Sequence, residues 1–259
     1  MQYMHKMSEA SDDDLDGFTA FAKDTIGSCI NRDNVILRVT ASVYADISGL
    51  ISMLPEGKDQ PLKACYESSL PAHMGIQVPA AVSFSVLAYD MSAADLIMSG
   101  SMSVAANIIG LAHLWNVIRV QGGAYGAGMR ARQQGDMLCY TFRDPTPARS
   151  LEVYGGMADH LSAYCASGEK PAKYIISTVA ETEPLRSPFE MGKFSDSAWF
   201  PGRTAQDEAD IRRSILATTP EKLQRWCGAV AKLAQEAPVC VIAHDEALKA
   251  CEGLEIENA

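Results

Sequence analysis

From Leu96 to Ile118 the chain runs 23 residues without a formal charge, and this stretch limits the fold more than any other. A helix of that length can cross a bilayer, so it must lie in lipid or be enclosed by protein. Its polar content decides between the two. Ser99, Ser101, Ser103, Asn107, His113 and Asn116 interrupt it, along with Gly100 and Gly110. Ile97, Val104, Ile108, Leu111, Trp115 and Ile118 fall on one stripe at helical spacing instead of surrounding the axis. The pattern predicts a core helix from about Ala94, buried against a sheet, with no membrane as partner.

A core helix needs a chain that can surround it. Apolar residues make up 47% and charged residues 21%, the composition of a folded globular protein and not of a disordered one. The 22 basic residues are outnumbered by 32 acidic ones, a formal charge of −10, which excludes a duplex nucleic-acid binder resting on a basic face. Met1 to Ser8 is polar and an acidic run follows at Asp12-Asp13-Asp14, so no signal peptide is expected. Seven scattered cysteines form no paired motif and read as reduced thiols. The expected compartment is the cytoplasm, or an organelle matrix in a eukaryote.

Local signals divide the rest. Ser11 and the aspartates start a helix that carries Leu15, Phe18, Phe21, Ala22 and Ile26. It is expected as a linker element over residues 1–30, ahead of a domain at 31–259. Asn31-Arg32-Asp33-Asn34 is a turn, Val35 to Thr40 a β-rich run, and Tyr44 to Leu54 a helix stopped by Pro55 and Gly57. Residues 56–75 read as a connecting loop and Val78 to Tyr89 as a buried strand. Further helix starts are expected at Ser92 with Asp95, Thr146-Pro147, Ser187 with Glu190, Thr204 with Asp207, and Thr219-Pro220. Between the first two lies a hairpin, Ala124–Arg132 and Met137–Arg143, turning at Gln134-Gly135-Asp136. Val239 to Ala243 reads as one more strand. Few strands separated by groups of helices make an α+β fold, an antiparallel sheet covered by helices on one face.

The dense motif is the end of the uncharged segment, Trp115-Asn116-Val117-Ile118-Arg119-Val120-Gln121-Gly122-Gly123-Ala124-Tyr125. Adjacent glycines let the chain turn sharply and approach another backbone closely. Arg119 offers fixed charged donors and Tyr125 a neutral O–H, a pair suited to holding a carbonyl oxygen as negative charge develops on it. Gly122 and Gly123 would let substrate backbone come near. The competing account is structural: Arg119 complements the helix C-terminus, the glycines end it, and Tyr125 packs on the sheet. The glycines follow a helix and no P-loop lysine accompanies them, so a phosphate loop is disfavoured.

Trp115 to Gly128, Tyr140-Thr141-Phe142-Arg143-Asp144-Pro145, Leu151-Glu152-Val153-Tyr154-Gly155-Gly156, the region after Pro171 and Val239 to Ala243 together resemble the C-terminal half of presequence proteases. So do Asn31-Arg32-Asp33-Asn34 and the segment after it. These are zinc peptidases of the pitrilysin and insulinase superfamily. The resemblance implies a domain of pitrilysin type that encloses peptide in a clamshell. It also implies catalytic roles for Arg119 and Tyr125, and a partner N-terminal half holding zinc in an H-x-x-E-H motif. None of His5, His73, His113, His160 and His244 belongs to such a motif, so no metal ligand and no cofactor is expected in this chain, and the chain alone is expected to be inactive. The alternative is a non-catalytic assembly subunit of the same fold.

Overall fold

In the strand Ser83–Asp90, residues 83, 85 and 87 point inward while Val86 and Ala88 are exposed. This period-two alternation marks a sheet with one covered face. The computed structural model describes residues 7–37, 39–41, 46–57, 70–91, 98–132 and 135–258. They divide into two compact units, one formed by Met1–Ser68 with Arg186–Ser197, the other by Ser69–Leu185 with Ala198–Ala259.

The larger unit holds a six-stranded sheet of order β3-β4-β2-β5-β1-β6. The strands are β1 His73–Gln77, β2 Ser83–Asp90, β3 Gly126–Ala131, β4 Asp136–Asp144, β5 Val239–Ala243 and β6 Glu255–Asn258. The α+β class expected from the sequence is what the chain adopts. The sheet is antiparallel from β3 to β5, as anticipated, but β1 runs parallel to both β5 and β6. β1 was expected as loop: its partners lie far along the chain, so local pattern carries no trace of it. Pro79 lies between β1 and β2, and the strand expected from Val78 begins only at Ser83.

The uncharged segment is the central helix α1, Gly100–Gln121. It is long and apolar enough to cross a membrane by composition, yet 61% of its most apolar window is buried within the protein. The expected start near Ala94, with Ser92 and Asp95, lies outside the described residues. From Ile109 the helix widens to π winding, in which hydrogen bonds reach five residues along. Ile109, Leu114 and Ile118 are therefore the residues that face the core, while Leu111 and Trp115, placed in the stripe by a 3.6-residue period, come to the surface.

Helices α2 Pro147–Gly155, α3 Met157–Ala166, α4 Ala172–Thr182, α5 Ala205–Leu216, α6 Pro220–Gln224 and α7 Cys227–Glu236 complete the core, with α8 Asp245–Lys249 beside β5. Their caps follow the sequence at Thr204 with Asp207 and at Thr219. Thr146 differs. Its side chain caps nothing; the helix start is held by the fully buried Asp144 carboxylate, which accepts from the Thr146 N–H at 2.9 Å and from the Ser150 hydroxyl at 2.6 Å.

In the smaller unit, helix α9 Asp12–Cys29 opens with a capping box between Ser11 and Asp14, and α10 Ser48–Ser52 falls within the helix expected from Tyr44 to Leu54; α11 Pro188–Trp199, starting as expected after Ser187, has all but its last two residues in this unit. Residues 35–37, 39 and 40 are not a strand, and Arg38 lies outside the described residues. High β propensity forms no strand without a partner edge to pair with.

Candidate functional site

The site is a corner where α1 turns into β3. A Cβ at Gly122 would lie 2.5 Å from the Ile118 carbonyl oxygen, and Gly123 has φ +81°, so both positions require glycine. The turn they make returns the chain to β4, where the Tyr125 N–H donates to the Phe142 carbonyl at 3.1 Å. The strand proper begins one residue later, at Gly126.

Arg119 and Tyr125 meet at this corner. Arg119 Nε donates to the main-chain oxygen of Tyr125 at 2.9 Å, and its guanidinium lies 4.1 Å from the centre of the Trp115 ring. Trp115 stands one turn before Arg119, so the indole forms a platform that holds the fork flat. Tyr125 is 66% exposed and meets Phe142 edge-on at 5.8 Å, and Phe142 meets Phe84 at 5.2 Å. An aromatic row thus crosses the uncovered face of the sheet. Among the described residues no hydrogen bond uses the terminal amino groups of Arg119 or the hydroxyl of Tyr125. Chemically, the corner presents a fixed cation and a neutral O–H donor to whatever occupies the space before it. The structural account of Arg119 also finds support in its bond and its stack, and the two accounts are compatible.

Gly122 and Gly123 shape the corner, with no side chain to offer. Trp115, Phe84 and Phe142 were missed as site residues. The Trp115–Arg119 spacing of one helical turn was a usable signal, whereas Phe84 comes from a distant strand.

Cys139, Tyr154, His113 and His160 are engaged in packing. Burial pushes the Cys139 thiol and the Tyr154 phenol far up, and Tyr154 lies within reach of Ser85 inside the core. His113 and His160 stack with ring centres 4.8 Å apart. Among the described residues, no three His, Cys, Asp or Glu side chains come together as a ligand set, so the donors described here do not fit a zinc ion.

Comparison with known proteins connects the corner to a family. Protein HypA of Clostridium perfringens is 30% identical over 151 residues, 58% of this chain and 16% of that protein. Presequence protease 1, chloroplastic/mitochondrial, of Arabidopsis thaliana is 24% identical over 238 residues, 89% of this chain and 22% of that protein. The chain spans about a fifth of the length of these relatives. A protease from Helicobacter pylori shows a partial structural likeness, with TM-score 0.49 at 12% identity over 76% of this chain and 51% of that one. Residues 75–245, from β1 to the start of α8 and including the Arg119 corner, match the family described as the PreP C-terminal domain. The chain belongs to that family.

Proposed function

We propose that this chain is the substrate-enclosing C-terminal domain of a zinc-dependent peptidase, closing over peptide against an N-terminal half that holds the metal. The chain's own contribution is the Arg119 corner. Arg119 and Tyr125 donate to a carbonyl oxygen of the bound peptide and stabilise negative charge as that oxygen becomes tetrahedral. Gly122 and Gly123 keep the approach clear of side chains. The observation that carries this reading is the bond from Arg119 Nε to the Tyr125 carbonyl: it fixes the guanidinium beside an exposed phenol while leaving the outer donors unspent.

The test uses the enzyme assembled with its zinc-bearing half. Tyr125→Phe keeps the ring and removes one donor, and Arg119→Ala removes the cation. Each is expected to lower turnover by about 10²–10³, the usual cost of a lost oxyanion donor. Folding should change by only about 1 kcal/mol, because both residues are outside the core. Full activity in both variants would leave the chain as an assembly subunit.

A further inference from the structure

A groove of about 630 Å³ is lined by residues of α1, α4 and β3. That volume lies within the range of small-molecule sites. Gly110 lets the α1 backbone rest on the strand: a Cβ there would sit 3.4 Å from the Met129 nitrogen, and Ala127 and Met129 are each 6% exposed. The sheet edge is therefore covered. What the groove takes is small, and it meets side chains in place of a strand ladder.

The helical wall is short of donors. Asn107 of α1 and Thr178 of α4 both line the groove, at 7% and 2% exposure. Among the described residues, Asn107 Oδ1 and Thr178 Oγ1 have no hydrogen-bond partner. The orientation of the Asn107 amide is settled by its other end. Its Nδ2 donates to Glu181 Oε1 at 3.1 Å and to Ser177 Oγ at 3.2 Å, and a flipped amide would set oxygen against the carboxylate. Buried polar atoms are ordinarily paired, so two orphans on neighbouring helices ask for an occupant.

Glu181 fixes the sign of its charge. This carboxylate is exposed, lines the same groove and forms no ion pair among the described residues. The cations nearby are engaged elsewhere: Arg132 pairs with Asp136 at 3.4 Å, and Arg130 lies over the Tyr140 ring.

We propose that the groove binds a small primary ammonium carried on an apolar stem. Its three N–H groups donate to Asn107 Oδ1, Thr178 Oγ1 and the Glu181 carboxylate, and the stem runs along α1 to Leu111, which also lines the groove. Leu111 lies one turn past Asn107, about 5 Å along the axis, which suits a stem of about four carbons. An ammonium has donors and no acceptor, so it matches a wall made of acceptors and leaves none of its own groups unpaired. A hydroxyl would bring one donor, and a carboxylate would meet Glu181 with like charge. A free alkylamine and a lysine side chain share this chemistry. The inference makes no use of the proposed role of Arg119 and Tyr125.

The test titrates the chain with n-butylammonium chloride, read by melting temperature and by the NMR signals of the Asn107 side-chain amide. Melting temperature should rise with concentration, as mass action requires of a ligand held by the folded chain. n-Butanol and butyrate should give no rise. Glu181→Gln, at an exposed position, should keep the fold and weaken binding at least about tenfold, the scale of one charged hydrogen bond. Thr178→Val should raise the melting temperature of the free chain, because it removes an unpaired buried hydroxyl, and should weaken binding of the amine. Nα-acetyl-lysine amide separates the two sources: binding as tight as butylammonium assigns a peptide side chain, and exclusion assigns a free amine. No binding of butylammonium, equal binding of n-butanol, or unchanged affinity in Glu181→Gln would overturn the proposal and leave the two oxygens to ordered water.

Discussion

The imidazoles of His113 and His160 stack nearly parallel, 22° apart, and His113 Nε2 lies 3.2 Å from the Val153 carbonyl. Burial, and then the neighbouring His113, hold the His160 pKa below its ordinary 6.5. The unfolded chain therefore binds a proton at a pH where the folded chain does not. Stability should be level above about pH 6.5 and fall on acidification until the lower folded pKa is passed. Urea denaturation between pH 8 and pH 5 measures this, and His160→Gln should flatten the slope. An equal slope in that variant would assign the acid loss to other groups.

Asp144 should be among the costliest polar residues to replace. Its carboxylate is fully buried and serves the first turn of α2 through Thr146 and Ser150. Asp144→Ala should destabilise the larger unit by about 3 kcal/mol, the sum expected for a lost cap and a lost charged hydrogen bond. Ser150→Ala, which removes one of the two partners, should cost less. Equal denaturation midpoints for wild type and Asp144→Ala would refute this.

Two glycine substitutions should have opposite signs. A Cβ at Gly100 would lie 2.4 Å from the Ile215 nitrogen and 2.7 Å from the Ile211 oxygen, both main-chain atoms that cannot move aside alone. Gly100→Ala should therefore destabilise by more than about 2 kcal/mol despite alanine's helix preference. Gly17, within α9, has nothing within 4 Å of such a Cβ, so Gly17→Ala should add up to about 1 kcal/mol to that helix. Thermal melts followed by circular dichroism distinguish the two.

Asn31 ties the end of α9 to the turn after it. Its Oδ1 accepts from Asp33 and Asn34 at 3.0 Å each, and its Nδ2 donates to Ser28 at 2.9 Å and Gly27 at 3.3 Å, with the residue 1% exposed. Asn31→Ala should open this turn by about 2 kcal/mol. Hydrogen exchange should then quicken at Asp33 and Asn34 but not in β4. Unchanged exchange there would mean that other contacts hold the turn.

What the sequence disclosed was mostly short in range. The caps at Ser11, Thr204 and Thr219 were readable because each is settled within three residues. Thr146 misled because the start of that helix is held by Asp144, two residues earlier, which accepts from the Thr146 N–H and the Ser150 hydroxyl. β1 was invisible because both its partners, β5 and β6, are parallel and distant. At the corner, Arg119 and Tyr125 could be paired on paper because only a glycine turn lies between them.

The π winding of Ile109–Gln121 carries more residues per turn than an ordinary helix, so it acts as slack in the length of the chain. A one-residue deletion between Ile109 and Ile118 is taken up by closing a wide turn to ordinary winding, and Arg119 stays on its side of the axis. In a helix of ordinary winding throughout, the same deletion would swing every later side chain about 100° away.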